Sequence, residues 1–560
     1  MAMMKCASLR RVSATRNFSG LTSADFMKKP TNEPILEYKK GSKERTALEE
    51  AIKKYSSKET VVPLRIGKEK INGKLDKRQP MPFDHKRTLA KFSYATKDQI
   101  KSAIEATKAA REDWEKKPLK ERADIILHAA DLCATKYRMA LNATTMLGQA
   151  KNIIQAEIDA ACELIDFLRF NAFFALQHEK YQPISTKIST NKMIFRGLEG
   201  FVAAIAPFNF TAIGGNLASA PALMGNTVLW KPSDTAVLSN YIIFEILEEA
   251  GIPPGVLNFL PSDGPVFGDT VTADPSLGAI NFTGSVPTFK YLWRKVAENL
   301  DNYESFPRLV GECGGKNFHF VHKSADLDSV AAGTIRSAYE YQGQKCSAVS
   351  RMYVPESVWP KLREKIESIR KNIKMGDATD GSVFMSSVID KKAFDRVKGY
   401  VEMAKNSSDF EVVAGGKCDD SKGYFVEPTI IQSKRPDSKL MTEEIFGPVL
   451  TVYSYPDKDT EKTLNSVKDA TPYGLTGAVF SNDKEFLYKA RDTLKDAVGN
   501  LYLNDKSTGS IVGQQPFGGS RMSGTNDKAG SPYYVLKWTS PQTIKETSVP
   551  LHEWRYPSMD

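Results

Sequence analysis

The sequence predicts an α/β protein in which buried strands alternate with helices to form doubly wound sheets. One observation is a series of short apolar runs without polar alternation, such as GFVAAIA at 200–206 and NTVLWK at 226–231. Such runs are typical of strands that are covered on both faces. The other observation is that segments with helical periodicity, such as 287–300, separate these runs. Repeated strand–helix–strand units form parallel sheets, whose ligands lie at the carboxyl ends of the strands.

A first block of these elements extends to about residue 315. Two helices separated by Pro118 are predicted over 97–117 and 119–146, because apolar residues recur there at helical spacing. Ser233 is expected to cap an amphipathic helix that ends at Gly251. The other predicted elements are strands at 200–206, 226–231, 256–261, 278–284 and 308–315, and helices at 214–225, 265–273 and 287–300.

A second block repeats the alternation. The predicted elements are strands at 318–322, 350–355, 412–416, 429–433, 450–455 and 475–481, and helices at 326–341 and 357–373. The region 500–525 is rich in Gly, Ser and Asn and predicts a long loop. A loop of that length inside a compact domain usually has a functional reason.

The composition is that of a soluble globular protein. Hydrophobic residues make up 41% of the chain and charged residues 26%, which are ordinary values. The six cysteines are scattered and have no C-x-x-C spacing, so neither a disulfide framework nor a metal site is expected. The net charge of +10 is spread over lysine-rich stretches, so no nucleic-acid partner is expected. The uncharged segment 200–230 contains several prolines and glycines, which would break a lipid-facing helix, and no membrane span is expected.

The N-terminus has the composition of a targeting segment. Its first 24 residues contain four basic side chains and no acidic one, which is typical of a mitochondrial transit peptide. We predict a transit peptide over 1–18, with a boundary that extends at most to about residue 24, and location in the mitochondrial matrix. A disordered basic tail is the alternative.

Several strand ends carry side chains that could take part in chemistry. FTGSVPT (282–288) lacks the G-x-G-x-x-G pattern but places Gly284 before a helix N-terminus, which is either a phosphate site or a plain turn. Lys231 ends a buried strand and must reach solvent or a ligand hydroxyl. Glu312 ends an apolar strand as either a desolvated base or an ordinary loop carboxylate. Cys346, in GQKCSAV, is either a nucleophile or one more buried and inert cysteine.

Seven short motifs decide between these alternatives. They are PFNF (207–210), WKPS (230–233), FTGS (282–285), ECGGKN (312–317), GQKCS (343–347), EEIFGP (443–448) and PFGG (516–519). In this order and spacing they resemble the NAD(P)-dependent aldehyde dehydrogenases, over residues from about 80 to 540. The resemblance implies an aldehyde dehydrogenase fold, with a Rossmann-like NAD-binding domain, an α/β catalytic domain and a β-flap for oligomerisation.

The resemblance also implies the roles of three catalytic residues. Cys346 matches the nucleophile whose thiolate adds to the aldehyde to give a thiohemiacetal. Asn209 matches the side-chain amide that stabilises the resulting oxyanion, together with the Cys346 backbone N–H. Hydride transfer then leaves a thioester, and Glu312 matches the base that activates water to hydrolyse it.

The implied cofactor is NAD. The segment that matches the pyrophosphate site consists of Gly284, Ser285, Val286, Pro287 and Thr288. Lys231 matches the lysine that binds the adenosine ribose, and Glu444 the glutamate that holds the nicotinamide ribose; weaker candidates are Ala206, Gly264 and Phe446. Ser233 stands where many NAD-preferring members carry a glutamate, which would repel a 2′-phosphate. Its absence weakens the argument against NADP, although NAD is still expected.

The C-terminal stretches 504–519 and 523–530 resemble those of members that oxidise L-glutamate γ-semialdehyde to L-glutamate in proline catabolism. This substrate carries an α-carboxylate and an α-ammonium, which an apolar pocket would not satisfy. Ser510 and Gly509 are expected at the carboxylate, with Ser347 as a further donor. Phe210 and Phe517 are expected beside the aliphatic middle of the substrate. Lys345 is expected to supply positive potential, and Glu163 to lie either at the ammonium or on a helix surface.

These inferences give a prediction for the whole chain. The predicted regions are a transit peptide (1–18), an NAD-binding domain (40–180 and 197–308), a catalytic domain (309–500), a substrate-anchoring loop region (501–524) and oligomerisation strands (181–196 and 525–550) that imply at least a homodimer. A dehydrogenase of another semialdehyde, including a CoA-acylating one, is an alternative that Glu312 argues against. A non-catalytic binding protein with this fold is another, and the presence of Cys346, Asn209 and Glu312 argues against it.

Overall fold

Two sheets of seven strands each form the centre of the protein, in a computed structural model that describes residues 28–559. The predicted transit peptide at 1–18 lies outside these described residues. Within 28–559, no helix is both long enough and apolar enough to cross a membrane.

The first sheet is the predicted doubly wound sheet. Its strands, in spatial order, are Arg308–Glu312, Leu277–Thr283, Phe201–Ile205, Thr227–Lys231, Leu257–Phe259, Leu64–Ile66 and Glu69–Ile71. The first five are parallel and the last two are antiparallel additions. The chain order reverses between Phe201–Ile205 and Leu277–Thr283, and ligands of doubly wound sheets bind at such a switch point. The predicted α/β fold class is confirmed.

The central strands are buried on both faces, as their uninterrupted apolar runs predict. Phe201 packs in a cluster with helix Lys97–Lys116, whereas its neighbour Val202 packs on the other face with helix Thr211–Leu223. Successive side chains of a strand point to opposite faces. A strand that lies between two helix layers is therefore buried on both faces and favours apolar residues along its length.

The second sheet is mainly parallel as well. Its strands, in spatial order, are Phe410–Ala414, Thr429–Ser433, Val449–Tyr455, Val349–Pro355, Asn317–Val321, Thr476–Phe480 and Asn500–Leu503. Only Phe410–Ala414 is antiparallel to its neighbour. The prediction of one loop over 500–525 is wrong at its start, because Asn500–Leu503 extends this sheet.

Smaller sheets complete the strand structure. A three-stranded sheet contains Thr60–Val61, Asp84–Phe92 and Lys77–Met81. Two further sheets have two strands each: Cys418–Asp419 pairs with Phe425–Val426, and Tyr473–Gly474 pairs with Ser520–Arg521. Ser189–Arg196 pairs with Ser540–Thr547 in an antiparallel ribbon. The two segments predicted as oligomerisation strands therefore pair with each other within one chain.

The α-helices surround these sheets. Their bounds are Lys43–Ser56, Lys97–Lys116, Leu119–Ala134, Arg138–Gln149, Ile153–Ala156, Leu164–His178, Thr211–Leu223, Val237–Glu249, Gly264–Thr272, Val286–Glu298, Leu327–Tyr339, Trp359–Lys371, Lys391–Lys405, Lys439–Thr442, Thr460–Asp469, Lys484–Thr493 and Pro532–Leu536. Short 3-10 turns occupy Asp234–Ala236, Leu300–Asn302, Glu340–Gly343, Asp457–Asp459 and Pro557–Met559, and a π-helical turn occupies Glu157–Glu163.

Two helix predictions require correction. The helix predicted over 119–146 is two helices, because Thr135 leaves the helical region at φ −115° and ψ −85°. Ser233 precedes a 3-10 turn, its side chain makes no capping hydrogen bond, and the α-helix begins only at Val237. That helix is buried on most sides rather than amphipathic, because it lies between other helices of the first block.

The last strand of the first sheet determines where the site lies. Arg308–Glu312 pairs in parallel with Leu277–Thr283, with Thr283 opposite Glu312. The domain division predicted between 308 and 309 lies inside this strand, after its first residue. The pairing brings the FTGS and ECGG motifs together at the carboxyl ends of two adjacent strands.

Candidate active site

One cavity, here called the catalytic cavity, is lined by residues from both blocks. Glu312 reaches it from the end of the first sheet, and Cys346 from the segment before strand Val349–Pro355 of the second. All the predicted substrate residues line it: Glu163, Phe210, Lys345, Ser347, Gly509, Ser510 and Phe517. The structure therefore brings together residues that lie far apart in the sequence.

The turn that precedes Cys346 has a strained backbone. Tyr341, Gln342 and Gly343 have φ values of 52°, 58° and 66°, a left-handed conformation that bulky residues rarely adopt. A Cβ on Gly343 would lie 2.3 Å from the Gly447 carbonyl oxygen, so only glycine fits. The Gln342 side-chain amide donates to the Ser387 carbonyl oxygen at 2.7 Å and holds the turn in place.

The Cys346 thiol is desolvated. Its side chain is 8% exposed, and burial raises the pKa of the thiol well above its ordinary value; the carboxylates of Glu312, Glu444 and Glu163 add to this shift, and the Ser347 backbone N–H opposes it. The Asn317 amide donates to the Cys346 carbonyl oxygen at 2.6 Å and fixes the backbone. Because the thiolate is the nucleophile, a proton must leave Cys346 before it can attack.

Asn209 lies against the backbone of the nucleophile segment. It sits between strand Phe201–Ile205 and helix Thr211–Leu223 and is 4% exposed. Its side-chain amide donates to the Gln344 carbonyl oxygen at 3.1 Å, two residues before Cys346. The structure thus places the predicted oxyanion donor beside the predicted nucleophile, and the role of Asn209 in catalysis stays a prediction.

Glu312 has the properties of a base that works near neutral pH. Burial raises the pKa of its carboxyl to about 8; Lys528 opposes this shift and Asp527 adds to it. Its Oε1 is buried and has no hydrogen-bond partner within residues 28–559. A buried acceptor without a partner costs about 1–3 kcal/mol, and an acceptor free to bind water suits general-base catalysis.

The loop after Leu503 is anchored beneath the nucleophile. Ser347 Oγ and Thr508 Oγ1 lie 2.6 Å apart, and the Ser507 N–H donates to His319 Nε2 at 3.3 Å. Burial lowers the pKa of His319 to about 3, so its imidazole is neutral and can accept this bond. This role of His319 was not predicted from the sequence; its only signal was a polar residue inside a buried strand.

Of the two predicted charged substrate residues, Lys345 is buried and Glu163 is half-buried. Lys345 Nζ contacts Glu340 at 3.0 Å, so part of its expected positive potential is neutralised locally. Glu163 ends the π-helical turn and lines the cavity rather than a helix surface. Burial, and next the nearby Asp159, raise the pKa of Glu163 to about 8. π-Helical turns are frequent at functional sites.

The predicted phosphate segment forms a capped helix start. Ser285 is the N-cap of helix Val286–Glu298 and its Oγ accepts from the Thr288 N–H at 3.4 Å, with Pro287 in the first turn. A Cβ on Gly284 would lie 2.7 Å from the Phe282 ring, so the backbone there has no room for a side chain. The free N–H groups of such a helix start fit a phosphate.

Two glycines of the ECGG motif lie against the Glu444 carboxylate. The Gly315 N–H donates to Glu444 Oε1 at 2.9 Å. A Cβ on Gly314 would lie 2.1 Å from the same carboxylate. These two glycines were missed as site residues, and their signal was the Gly-Gly pair directly after a strand.

The other predicted cofactor residues follow the carboxyl ends of adjacent parallel strands. Lys231 Nζ donates to the Pro232 carbonyl oxygen at 3.2 Å, and burial lowers its pKa, which Asp234 and Asp263 oppose. The remaining positions are Ala206, whose N–H donates to the Lys231 carbonyl oxygen at 2.9 Å; Ser233, whose Oγ lies 3.3 Å from Thr235 Oγ1; and Gly264, which begins helix Gly264–Thr272. Phe446 lies elsewhere, in the second block, with φ +54° and its ring 5.9 Å from that of Phe208.

This set of donors fits a dinucleotide. The cofactor edge is defined here as the carboxyl ends of Phe201–Ile205, Thr227–Lys231, Leu257–Phe259 and Leu277–Thr283. It offers a helix start for a diphosphate and the half-buried Lys231 for a ribose hydroxyl. Glu444 adds a carboxylate for a second ribose. Over the part of the chain that the structure describes, no group of three or more His, Cys, Asp or Glu side chains could hold a metal ion.

Comparison with known proteins identifies the class. The chain belongs to the aldehyde dehydrogenase family, which matches residues 69–544. The family and fold predicted from the seven motifs are therefore confirmed.

Within this family, the chain is similar over nearly its whole length to several named enzymes. The chain is 59% identical over 529 residues to the mitochondrial delta-1-pyrroline-5-carboxylate dehydrogenase of Danio rerio, covering 94% of this chain and 95% of that protein. It is 58% identical over 532 residues to the enzyme of that name from Homo sapiens, covering 95% and 94%. The crystal structure of the delta-pyrroline-5-carboxylate dehydrogenase from Mycobacterium tuberculosis bound with NAD is 45% identical with a TM-score of 0.92, covering 95% of this chain and 99% of that one.

Proposed function

We propose that this protein oxidises L-glutamate γ-semialdehyde, the open form of Δ1-pyrroline-5-carboxylate, to L-glutamate, with NAD as the hydride acceptor. The observation that carries the proposal is the catalytic cavity, in which Cys346, Glu312 and the 504–519 loop face one space. Relatives named pyrroline-5-carboxylate dehydrogenases at 58% and 59% identity support the same substrate. A structural neighbour bound with NAD supports the cofactor.

The first chemical step is addition of Cys346 to the aldehyde carbon. Glu312 lines the same cavity and, with a pKa of about 8, can accept the thiol proton. The thiolate adds to the carbonyl carbon, and the oxygen becomes an oxyanion between the Asn209 amide and the Cys346 N–H. Loss of one such donor typically costs about 3–4 kcal/mol of transition-state stabilisation.

The second step is hydrolysis of the thioester on Cys346. Before hydrolysis, the tetrahedral carbon must lose a hydride, and bound NAD would supply the acceptor. The helix start at Ser285, with Lys231 and Glu444, would hold it at the cofactor edge. Glu312, after releasing the thiol proton to solvent, accepts a proton from the attacking water, and L-glutamate leaves as the thiolate is restored.

The cavity offers complementary groups for the charged end of the substrate. Gly509 has φ +88°, so the loop turns there and can present the N–H groups and hydroxyl of Ser510 to the α-carboxylate. Glu163 would face the α-ammonium, and a nearby cation favours the ionised form of its carboxyl. Phe210 and Phe517 line the same cavity and would pack against the methylene groups between the two ends.

We also propose location in the mitochondrial matrix and assembly into at least a homodimer. The basic, acid-free N-terminus and the mitochondrial names of the relatives support the location. The ribbon of Ser189–Arg196 and Ser540–Thr547 supports the assembly, because exposed apolar side chains flank it, at Ile184, Ile188, Ile544 and Leu551. Such patches are typical of interfaces.

The test of the substrate is a comparison of aldehydes. NADH formation is measured with Δ1-pyrroline-5-carboxylate, succinate semialdehyde and propionaldehyde. We expect kcat/KM to be at least about 100-fold higher for the first, since a site built for charged groups rejects analogues that lack them. Equal values would contradict the proposed substrate, and turnover that requires CoA would favour a CoA-acylating enzyme.

A further inference from the structure

A buried ion pair lies between the segments that carry Asn209 and Cys346. Lys151 Nζ contacts Asp159 Oδ2 at 2.7 Å, and the two side chains are 0% and 1% exposed. Neither residue belongs to the catalytic, cofactor or substrate groups described above. Because buried ion pairs give little net stability compared with apolar packing, this pair calls for another explanation.

Asp159 holds the segment that follows Asn209. Its two carboxylate oxygens accept from the N–H groups of Thr211 and Ala212, at 3.0 and 2.9 Å. These are the first two residues of helix Thr211–Leu223. A carboxylate at a helix start satisfies free N–H groups and complements the helix dipole, so Asp159 fixes where the helix begins and thereby the position of Asn209.

Lys151 connects this segment with the nucleophile segment. Its ammonium lies 4.0 Å from the centre of the Phe210 ring and 4.6 Å from that of Tyr341. Phe210 directly follows Asn209, and Tyr341 begins the left-handed turn that leads to Cys346. Desolvation strengthens a cation–π contact, and this ammonium makes two.

The chain neighbours of Lys151 bridge the same two segments. The Gln149 amide donates to the Phe208 carbonyl oxygen at 2.7 Å, and the Ala150 carbonyl oxygen accepts from the Gln342 amide at 3.2 Å. Three consecutive residues therefore contact both the Asn209 segment and the turn before Cys346. These contacts set the distance between oxyanion donor and nucleophile, and Asp159 also lines the catalytic cavity.

We propose that Lys151 and Asp159 are positioning residues for formation of the oxyanion. The Lys151–Asp159 pair acts through Asn209 and Cys346, which it holds in register. The inference rests on the proposed aldehyde oxidation and adds two residues to its machinery.

The test separates the two chemical steps of the enzyme. Lys151→Met removes the cation and leaves a side chain of similar length. We expect single-turnover NADH formation to fall about 10- to 100-fold, because a shift of about 1 Å in a reacting group has this effect. Thioester hydrolysis should change less than about 3-fold, since the pair makes no contact with Glu312.

A second buried ion pair provides the matched control. Arg138 and Glu157, 5% and 0% exposed, lie on the same helix-and-π-turn region but contact the segment around Pro34 and Tyr38 instead. Arg138→Met/Glu157→Gln should leave NADH formation within about 3-fold of wild type, as expected for a site distant from the chemistry. If Lys151→Met does not fold, the neutral variant Lys151→Met/Asp159→Asn replaces it.

A second readout needs no cofactor. Cys346 is alkylated with iodoacetamide, and the modified peptide is followed over time by its mass. Alkylation should be faster in Lys151→Met than in the control, because release of the turn exposes a thiol that is 8% exposed in the wild type. Equal slowing of both chemical steps, equal slowing in the control variant, or unchanged alkylation would overturn the proposal.

The same measurements with propionaldehyde separate this proposal from the substrate assignment. A wild-type enzyme that oxidises propionaldehyde but not the glutamate semialdehyde counts against the substrate only. The effect of Lys151→Met on propionaldehyde oxidation then still decides the role of the Lys151–Asp159 pair.

Discussion

The catalytic cavity and the cofactor edge are built by different means. Around the cavity, charged side chains such as Glu312 and Lys345 are buried, and the backbone is strained over 341–343. At the cofactor edge, Ser285 and Thr288 are exposed at an unstrained helix start. Covalent chemistry requires desolvated groups fixed in advance, whereas a diphosphate requires only free donors near solvent. The variants below test whether the two regions act independently.

The largest expected effect is that of Cys346→Ser. A serine hydroxyl is a far weaker nucleophile than a thiolate in the same place, and we expect NADH formation to fall at least about 10⁴-fold. NAD affinity, measured by isothermal titration calorimetry, should stay within about 3-fold, because the cofactor edge is intact. Cys133→Ala, at a buried cysteine outside the cavity, is the control and should keep its activity. Substantial turnover by Cys346→Ser would refute the nucleophile assignment.

The next largest effect is that of Glu312→Gln on thioester hydrolysis. The carboxyl of Glu312, with a pKa of about 8, is protonated below that pH and cannot act as a base, so wild-type hydrolysis should rise with pH and level off above about 8. Glu312→Gln should lower hydrolysis about 10²- to 10⁴-fold and remove this pH dependence. Quenched-flow measurements from pH 6 to 10 check both.

Thermal stability provides a control for this assignment. The pKa of Glu312 is higher in the folded protein than its ordinary value near 4.5, so ionisation of the buried carboxyl destabilises the fold as pH rises. Glu312→Gln should therefore raise Tm more at pH 9 than at pH 5. An equal change in Tm at both values, or an unchanged pH profile of hydrolysis, would contradict the described environment.

The two regions also differed in how far the sequence predicted them. The cofactor edge depends on local signals, namely apolar runs that end in Lys231 or Gly284 and a Ser-Val-Pro-Thr helix start, and these were placed correctly. The strained turn over 341–343 depends on Gln342 contacting Ala150, 192 residues earlier, and Ser507 depends on His319, 188 residues earlier. No local pattern encodes such contacts.

The errors have the same cause. No proline or glycine marks the point at Thr135 where the predicted helix ends. At Ser233 the expected helix cap is replaced by a 3-10 turn. Propensity is a weak guide wherever tertiary contacts compete with it. Cys346, Asn209 and Glu312 were predicted as catalytic residues through the resemblance to a family, whose motifs reflect such long-range contacts.

A smaller effect is expected for Ser510→Ala. Ser510 lines the cavity on the loop after Leu503, and loss of a hydrogen bond to a charged carboxylate should raise the KM for glutamate semialdehyde about 10-fold. The kcat should change less than about 3-fold, because the lost bond is present before and during the reaction alike. Propionaldehyde, which has no carboxylate, is the control substrate. Equal losses for both aldehydes would refute the role of Ser510 as carboxylate anchor.

The smallest effect is expected for Ser233→Glu at the cofactor edge. Ser233 lies two residues after Lys231 and is half-buried, so a glutamate there would repel the 2′-phosphate of NADP from a position that solvent still reaches. We expect kcat/KM for NADP to fall about 10-fold and that for NAD to change less than about 3-fold, since specificity of this kind comes from a repulsive charge.

Salt distinguishes this charge from those of the cavity. The effect of Ser233→Glu on NADP should shrink as ionic strength rises from 0.05 to 0.5 M, because exposed charges are screened over a Debye length of about 10 Å or less. Ser233→Gln, equal in size but uncharged, should show neither the loss nor its salt dependence. The loss of hydrolysis in Glu312→Gln should not change with salt, because that carboxyl is buried. A salt-insensitive Ser233→Glu would mean that the cofactor edge is as desolvated as the cavity, and the contrast between the two regions would fail.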